Sequence, residues 1–263
     1  MASSTNFDSI AQISAVRDDW NLRVSLVKLW FVPETHSRRP NNHRSMELLF
    51  MDETGCKIQA SVRKALIYRF QKSLEEGSVY SVRSFTLTSN TGDFRVAPHK
   101  YKINFQMETK VVKAEGQIAP KMYSFVPLTS VCGGEIEMEV LVDVIGVLKH
   151  YGVEKETEKD GTKSRRNYII LQADGCKIDC TLFEPYVDQL NTYLASGKPT
   201  NVPVIVQLAK ARHYDGKIKL QNAMYCTKVI FDPTCKESRD YMTRCEIIIS
   251  PSQVVTQLSD QKS

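Results

Sequence analysis

Residues 22–30, from Leu22 to Trp30, alternate apolar and polar positions along most of their length, the period of a half-buried strand. The polar stretch from Pro33 to Ser45, rich in Pro, Asn and Arg, reads as a loop. Residues 46–51 and 56–62 then read as two short strands around Asp52-Glu53-Thr54-Gly55, a hairpin turn with Gly where a positive φ is needed. Leu66, Ile67, Phe70 and Leu74 recur at helical spacing within 63–74, and Glu75-Glu76-Gly77 closes that helix. Residues 78–88 and 94–105 supply two more strands, joined by 89–93.

The same order then recurs: a strand over 136–150, a charged loop, strands over 168–171 and 176–183, a helix over 185–194, and strands over 202–208 and 217–220. One shift of 120 residues carries Gly55-Cys56-Lys57-Ile58 onto Gly175-Cys176-Lys177-Ile178, Val24 onto Val144, Val27 onto Val147 and Phe94 onto Tyr214. Solenoid and propeller repeats recur every 20 to 50 residues or so, whereas 120 is about one small domain. The period alone leaves other small barrels open. Strand–loop–strand–strand–helix–strand–strand, met twice, is the order of the OB barrel. The sequence therefore predicts an all-β chain of two tandem five-stranded OB folds with one short helix each. The expected bounds are 1–112 for the first domain, 113–122 for a linker where Ala114-Glu115-Gly116-Gln117 breaks the pattern, and 123–233 for the second. A short helix over 234–245 and a polar tail to 263 follow.

Bulk properties narrow the classes. The chain has 263 residues, 42% hydrophobic and 25% charged, which is ordinary globular composition. No apolar run approaches the roughly 20 residues of a membrane span, and the N-terminus lacks a basic-then-apolar signal, so no membrane partner is expected. Seven scattered cysteines without a secretory signal predict reduced, mostly buried thiols in a cytosolic or nuclear protein. The net charge of +5 is unevenly placed: residues 1–119 hold 17 Lys and Arg against 12 Asp and Glu, and residues 120–263 hold 18 against 18. A surplus on one domain suits a polyanion approached electrostatically.

Four stretches carry a family resemblance: Phe7-Asp8-Ser9-Ile10, Met51-Asp52-Glu53-Thr54-Gly55, the run from Phe94 through Tyr101 to Phe105, and Val142-Asp143-Val144-Ile145-Gly146. They resemble the two central DNA-binding domains of the large subunit of replication protein A, in its plant-type form, over roughly residues 5–235. The resemblance implies a nuclear single-stranded-DNA-binding protein acting in replication, repair or recombination, with RNA and other replication or repair proteins left open as partners. It implies two base-stacking aromatics per domain, with basic loops tracking phosphates. Carried over by position, the platforms are Phe183 and Tyr214 in the second domain and Phe94 in the first. The remaining first-domain platform falls on Met46, whose thioether covers a base face less rigidly. Arg63 stands where Phe183 does after the shift, and a guanidinium also stacks on bases. The family's third, zinc-carrying domain has no counterpart here, so heterotrimer assembly is not expected of this stretch.

Each aromatic has a plainer reading. Phe94 and Tyr214 could be turn-flanking rings packed on their own barrels, and Phe183 could staple the helix that begins at Pro185. Trp30, Phe50, Tyr101 and Phe105, on alternating strands, read as core. Candidate phosphate contacts are Arg38, Arg39 and Arg44 in the loop after the first strand, Arg165 and Arg166 in its second-domain counterpart, and Arg95, Lys100, Arg212 and Lys217 beside the aromatics. No cofactor or metal site is expected. Cys176 and Cys180 lack a second pair at zinc spacing, and no P-loop, nucleophile elbow or carboxylate cluster occurs, so the chain reads as a binder and not an enzyme. A second class remains open: an OB tandem whose grooves bind peptide in a telomere or replication assembly.

Overall fold

The computed structural model describes residues 7–34, 42–118, 122–159, 162–197 and 201–249. The chain divides into two compact units, one of Met1–Ser124, Ile136–Val142 and Ala223–Cys226, the other of Phe125–Glu135, Asp143–Asn222 and Thr227–Ser263. Both are curled sheets of the OB type, with few helices.

In the first unit, β1 (Asn21–Pro33) pairs with β2 (His43–Met51), and β2 with β3 (Lys57–Arg63), all antiparallel. The helix α1 (Lys64–Phe70) follows β3 and buries Leu66, Ile67 and Phe70. The next strand is split: β4 (Val79–Arg83) pairs with β1, and β5 (Thr86–Ser89) pairs with β6 (Tyr101–Asn104). The break falls at Ser84, whose φ is 59°. Thr109 holds it, donating from Oγ1 to the Ser84 carbonyl at 2.7 Å. Parallel pairing of β6 with β3 brings the sheet round, and β7 (Lys110–Lys113) adds to β4. Inside lie Leu22, Val24, Leu26, Met46, Leu48, Phe50, Ile58, Ala60 and Val62, the inward sets of three alternating strands. Phe105 stacks on Phe50 and meets Phe70 edge-on. Phe50 and Phe105 are thus core, as their alternation predicts.

The second unit starts with α2 (Leu128–Cys132). Its barrel closes through β8 (Val142–Tyr151), β10 (Thr162–Ala173), β11 (Cys176–Phe183), β13 (Lys217–Asn222) and β12 (Pro203–Tyr214), which returns to β8. The parallel contact is again third strand against last, Cys180 opposite Leu220. Here α3 (Tyr186–Ala195) fills the α1 position, β14 (Lys228–Phe231) adds to β12, and α4 (Lys236–Ile249) follows. Among the described residues, no helix is long and apolar enough to cross a membrane.

Several element readings need correction. The strand expected over 94–105 is only β6, because Asn90 ties the preceding loop down through its amide to the carbonyls of Ala97 (3.2 Å) and His99 (2.9 Å). The strand expected from 136 begins at Val142, after a turn with Gly134 at φ 74°. The charged loop after β8 is a hairpin of β9 (Lys155–Lys159) with β10, in which opposite charges face across the strands, as in Lys163–Glu156 at 2.9 Å. The stretch expected as linker starts inside the first unit: Lys113 is the end of β7, Ala114 donates to the Val79 carbonyl at 2.9 Å, and Ile118 is buried with Met51 and Val79. Its residues 119–121, like the tail beyond 249, lie outside the described residues. Cys132 on α2 and Cys176 on β11 bring their sulfur atoms together. Cys180 and Cys226 are free, and burial pushes both thiols up to about 12.

Candidate nucleic-acid interface

Alternation on β10 and β11 builds the site in the second unit. Asn167, Ile169 and Leu171 on β10, with Ile178, Cys180 and Leu182 on β11, are buried. The other set, Arg166 and Tyr168 on β10 with Thr181 and Phe183 on β11, therefore stands on the outer face, and Arg166 lies directly opposite Phe183. Phe183 is half-buried. Its backbone N–H donates to Asn222 Oδ1 at 2.6 Å, which fixes the end of β11 against β13.

Tyr214 stands at the end of β12, before a two-residue turn in which Asp215 and Gly216 both have positive φ (52° and 68°). Its ring is 67% exposed, which excludes the core reading. Lys219 Nζ sits 5.0 Å from the ring centroid and 2.9 Å from Asp179. The hydrogen bond from Lys219 to Asp179 raises the ammonium's pKa, so it stays charged beside the ring. Arg212 and Lys217 are exposed on the same hairpin, Lys217 opposite Tyr214.

Phe94 is 46% exposed in the first unit, after the loop that Asn90 holds. Lys100 is exposed with its Nζ 5.2 Å from the Tyr101 ring, and Arg44 and Arg63 are exposed at the ends of β2 and β3. Arg38 and Arg39 lie outside the described residues.

Geometry overturns three of the expected site residues. Met46 is fully buried, because it shares the inward face of β2 with Leu48 and Phe50, so no base reaches it. Arg95 is not a ready phosphate contact: its guanidinium is 3.1 Å from Glu137, and its backbone bonds to Glu139 and Leu141. Arg165 is clasped by Asp188 (2.7 Å), Glu184 (2.7 Å) and Glu154 (3.3 Å). Asp188 and then Glu184 raise its pKa, and the three carboxylates leave it as a strut between β10 and α3.

Two features escape the sequence reading. The outward set of β1 and β2 holds Lys28, Trp30, Ser45 and Glu47, all under 10% exposed, with Glu47 accepting from Ser61 Oγ at 2.7 Å and Gln59 Nε2 at 2.9 Å. Trp30 is buried as expected, but on this outward set. Tyr168 reads from sequence only as part of a strand; its place between buried Asn167 and Ile169 is the signal that turns it outward.

Residues 11–134 match the family model described as "Domain of unknown function DUF223". Replication factor A protein 1 of Schizosaccharomyces pombe is 26% identical over 185 residues, 68% of this chain and 30% of that protein. The Replication protein A 70 kDa DNA-binding subunit of Danio rerio is 24% identical over 238 residues, 87% of this chain and 37% of that protein. This chain resembles the large subunit of replication protein A. It spans about a third of the length of these curated relatives. A structure of a replication protein A heterotrimer bound to ssDNA shares the fold, with a TM-score of 0.59 at 17% identity over 91% of this chain and 55% of that one. A plant relative, a replication protein A 70 kDa DNA-binding subunit from Arabidopsis thaliana, is 23% identical over 152 residues, 57% of this chain and 25% of that protein.

Proposed function

We propose that this chain binds single-stranded DNA without catalysis, as replication protein A large subunits do, and acts in DNA replication, repair or recombination in the nucleus, alongside other proteins of those processes. Its kinship to DNA-binding replication factors supports the class. The observation that carries the reading is the pair Phe94 and Tyr214: one repeat position, two exposed rings, and a lysine charge held against the second. A single strand offers a π-face at every base and a phosphate at every step, so exposed aromatics interleaved with cations hold it whatever its sequence. The bases stack on Tyr214, Phe183 and Phe94, while Arg212, Lys217, Arg166, Lys100, Arg63 and Arg44 meet phosphates.

The second reading, a peptide-binding OB tandem, draws on the buried Glu47 and the neutralised Arg95, which remove positive charge from the first unit's sheet. Fluorescence anisotropy with oligo(dT) separates the two. Phe94→Ala and Tyr214→Ala are each expected to weaken binding by roughly 1–3 kcal/mol while leaving thermal unfolding near wild type, since exposed rings contribute little to folding. Wild-type affinity in both variants would remove the stacking assignment and favour the peptide reading.

A further inference from the structure

The outer face of the second unit carries one more aromatic than the three platforms require. Tyr168 is 36% exposed on β10, two residues from Arg166 and therefore on the same face as Arg166 and Phe183. Its ring lies against the residue just past the end of β8: a Cβ built on Gly152 would stand only 2.2 to 2.8 Å from three of its carbons. Gly152 is thus required here for close approach, and its N–H bonds to the Tyr168 carbonyl at 2.8 Å. His150, exposed on β8 and opposite Ile170, places its ring 6.3 Å from that of Tyr168. A tyrosine laid on backbone is held flat before any ligand arrives, so little side-chain freedom is lost on binding.

The surrounding charge fits a polyanion. Arg166 and Lys155 face each other across the hairpin, and both are exposed. Two carboxylates of that hairpin are already engaged, Glu154 with Arg165 and Glu156 with Lys163, while Glu158 lies further out, opposite Lys163. Neighbouring strands are about 4.8 Å apart, so Tyr168 stands one strand over from Phe183 and two residues along from Arg166, and His150 on β8 lies one strand further.

We propose that Tyr168, laid on Gly152 and flanked by His150 and Arg166, is an additional base-stacking subsite that extends the single-strand path past Phe183. This rests on the single-strand reading above, and the test keeps the two apart. Wild-type protein is titrated with oligo(dT) from about 6 to about 20 nucleotides, and 5-iodouracil-substituted strands are photo-crosslinked and mapped by peptide mass spectrometry. Crosslinks are expected at Tyr168 as well as at Phe183 and Tyr214. Tyr168→Leu is expected to lower affinity about five- to a hundredfold for the longer strands and far less for the shortest, and Tyr168→Phe, which keeps the ring, to recover most of that loss. Crosslinks at Phe183 and Tyr214 without Tyr168, or wild-type affinity of Tyr168→Leu at every length, would overturn the subsite alone. Wild-type protein that binds no strand would overturn both readings. The crosslink map needs no variant, so the proposal stays testable if Tyr168→Leu fails to fold.

Discussion

In the first unit the strand that must serve both sides of the barrel is split at Ser84 into β4 and β5; in the second it runs on as β12 and bends at Leu208. Both residues have left-handed backbone, φ 59° and 56°, and in both a buried threonine hydroxyl donates to the bent residue's carbonyl at 2.7 Å, Thr109 to Ser84 and Thr227 to Leu208. The second unit adds a bond from the Leu208 N–H to Asp143 Oδ1 at 2.9 Å. A residue with a Cβ costs about 1–2 kcal/mol in this conformation, so the bend persists because the hydroxyl and the sheet fix it from both sides. Two sequences with little identity at this point reach one solution, because closure demands that the strand change sides.

The outer faces do not match in this way. The second unit presents Phe183, Tyr168 and Tyr214 among exposed cations, whereas β1 and β2 of the first bury Lys28, Trp30 and Glu47. Net charge points to the first domain as the binding half. Geometry shifts the aromatic capacity to the second, because surplus charge counts side chains without regard to what already neutralises them.

The largest contrast lies in the turns between second and third strands. Asp52 accepts from Thr54 Oγ1 (2.6 Å) and from the N–H groups of Thr54 (3.0 Å), Cys56 (3.1 Å) and Ile10 (2.8 Å), tying the N-terminal segment to the turn. The second unit uses a two-residue turn, Asp174 (φ 50°) and Gly175 (φ 77°), with Ala173 opposite Cys176. Asp52→Ala is expected to cost about 3 kcal/mol, since it strands the buried Ile10 N–H and removes the part-buried bonds of the turn, and Asp174→Ala about 1 kcal/mol, the left-handed penalty. Urea denaturation checks both, and equal costs would break the contrast. Burial disfavours the ionised Asp52, but bonds from Thr54, Ile10 and Ser9 outweigh it and hold the carboxyl below its ordinary 3.8. Its contribution is complete above about pH 4 and is lost as pH falls through the depressed value. The gap between wild type and Asp52→Ala therefore narrows in acid.

Replacing the paired threonines tests the shared bend. Thr109→Val and Thr227→Val keep shape and remove the hydroxyl; Thr227→Val is expected to lower stability by about 1–3 kcal/mol by leaving the buried Leu208 carbonyl without its donor, and Thr109→Val by less, because Ser84 is exposed. A neutral Thr227→Val would mean that β12 bends without help and that the likeness to β4–β5 is only one of shape.

The repeat, the strand order, the Gly55 turn and the core residues Phe50 and Phe105 are legible in the sequence because they follow from period and local chemistry. Met46 misleads because family position puts it on a platform while its own alternation with Leu48 and Phe50 puts it inside. The β9–β10 hairpin reads as a loop because its stability comes from cross-strand charge pairs and not from apolar alternation. Arg95 and Arg165 look free in the sequence because their carboxylates are distant along it, 42 residues away for Glu137 and 23 for Asp188. Tyr168 depends on the absence of a side chain at Gly152, just past the end of β8, which a single strand's pattern does not show.

The smallest expected effects concern the arginines and separate exposed charge from engaged charge. On a single strand, removing one phosphate partner flattens the plot of log affinity against log salt by about 0.7. Arg166 is exposed opposite Phe183, so Arg166→Gln is expected to reduce the slope by about that amount. Arg165, one residue away, already spends its guanidinium on Asp188, Glu184 and Glu154, so Arg165→Gln is expected to leave the slope unchanged and to loosen α3 instead, read as faster amide exchange there. In the first domain, joint replacement of Arg38, Arg39 and Arg44 by Gln is expected to flatten the slope by up to about 2, the sum for three phosphates. Equal slope changes for Arg165 and Arg166 would show that a bound phosphate can outcompete three carboxylates. An unchanged slope in the triple variant would leave the second unit's face as the main electrostatic contact, despite the first domain's surplus of charge.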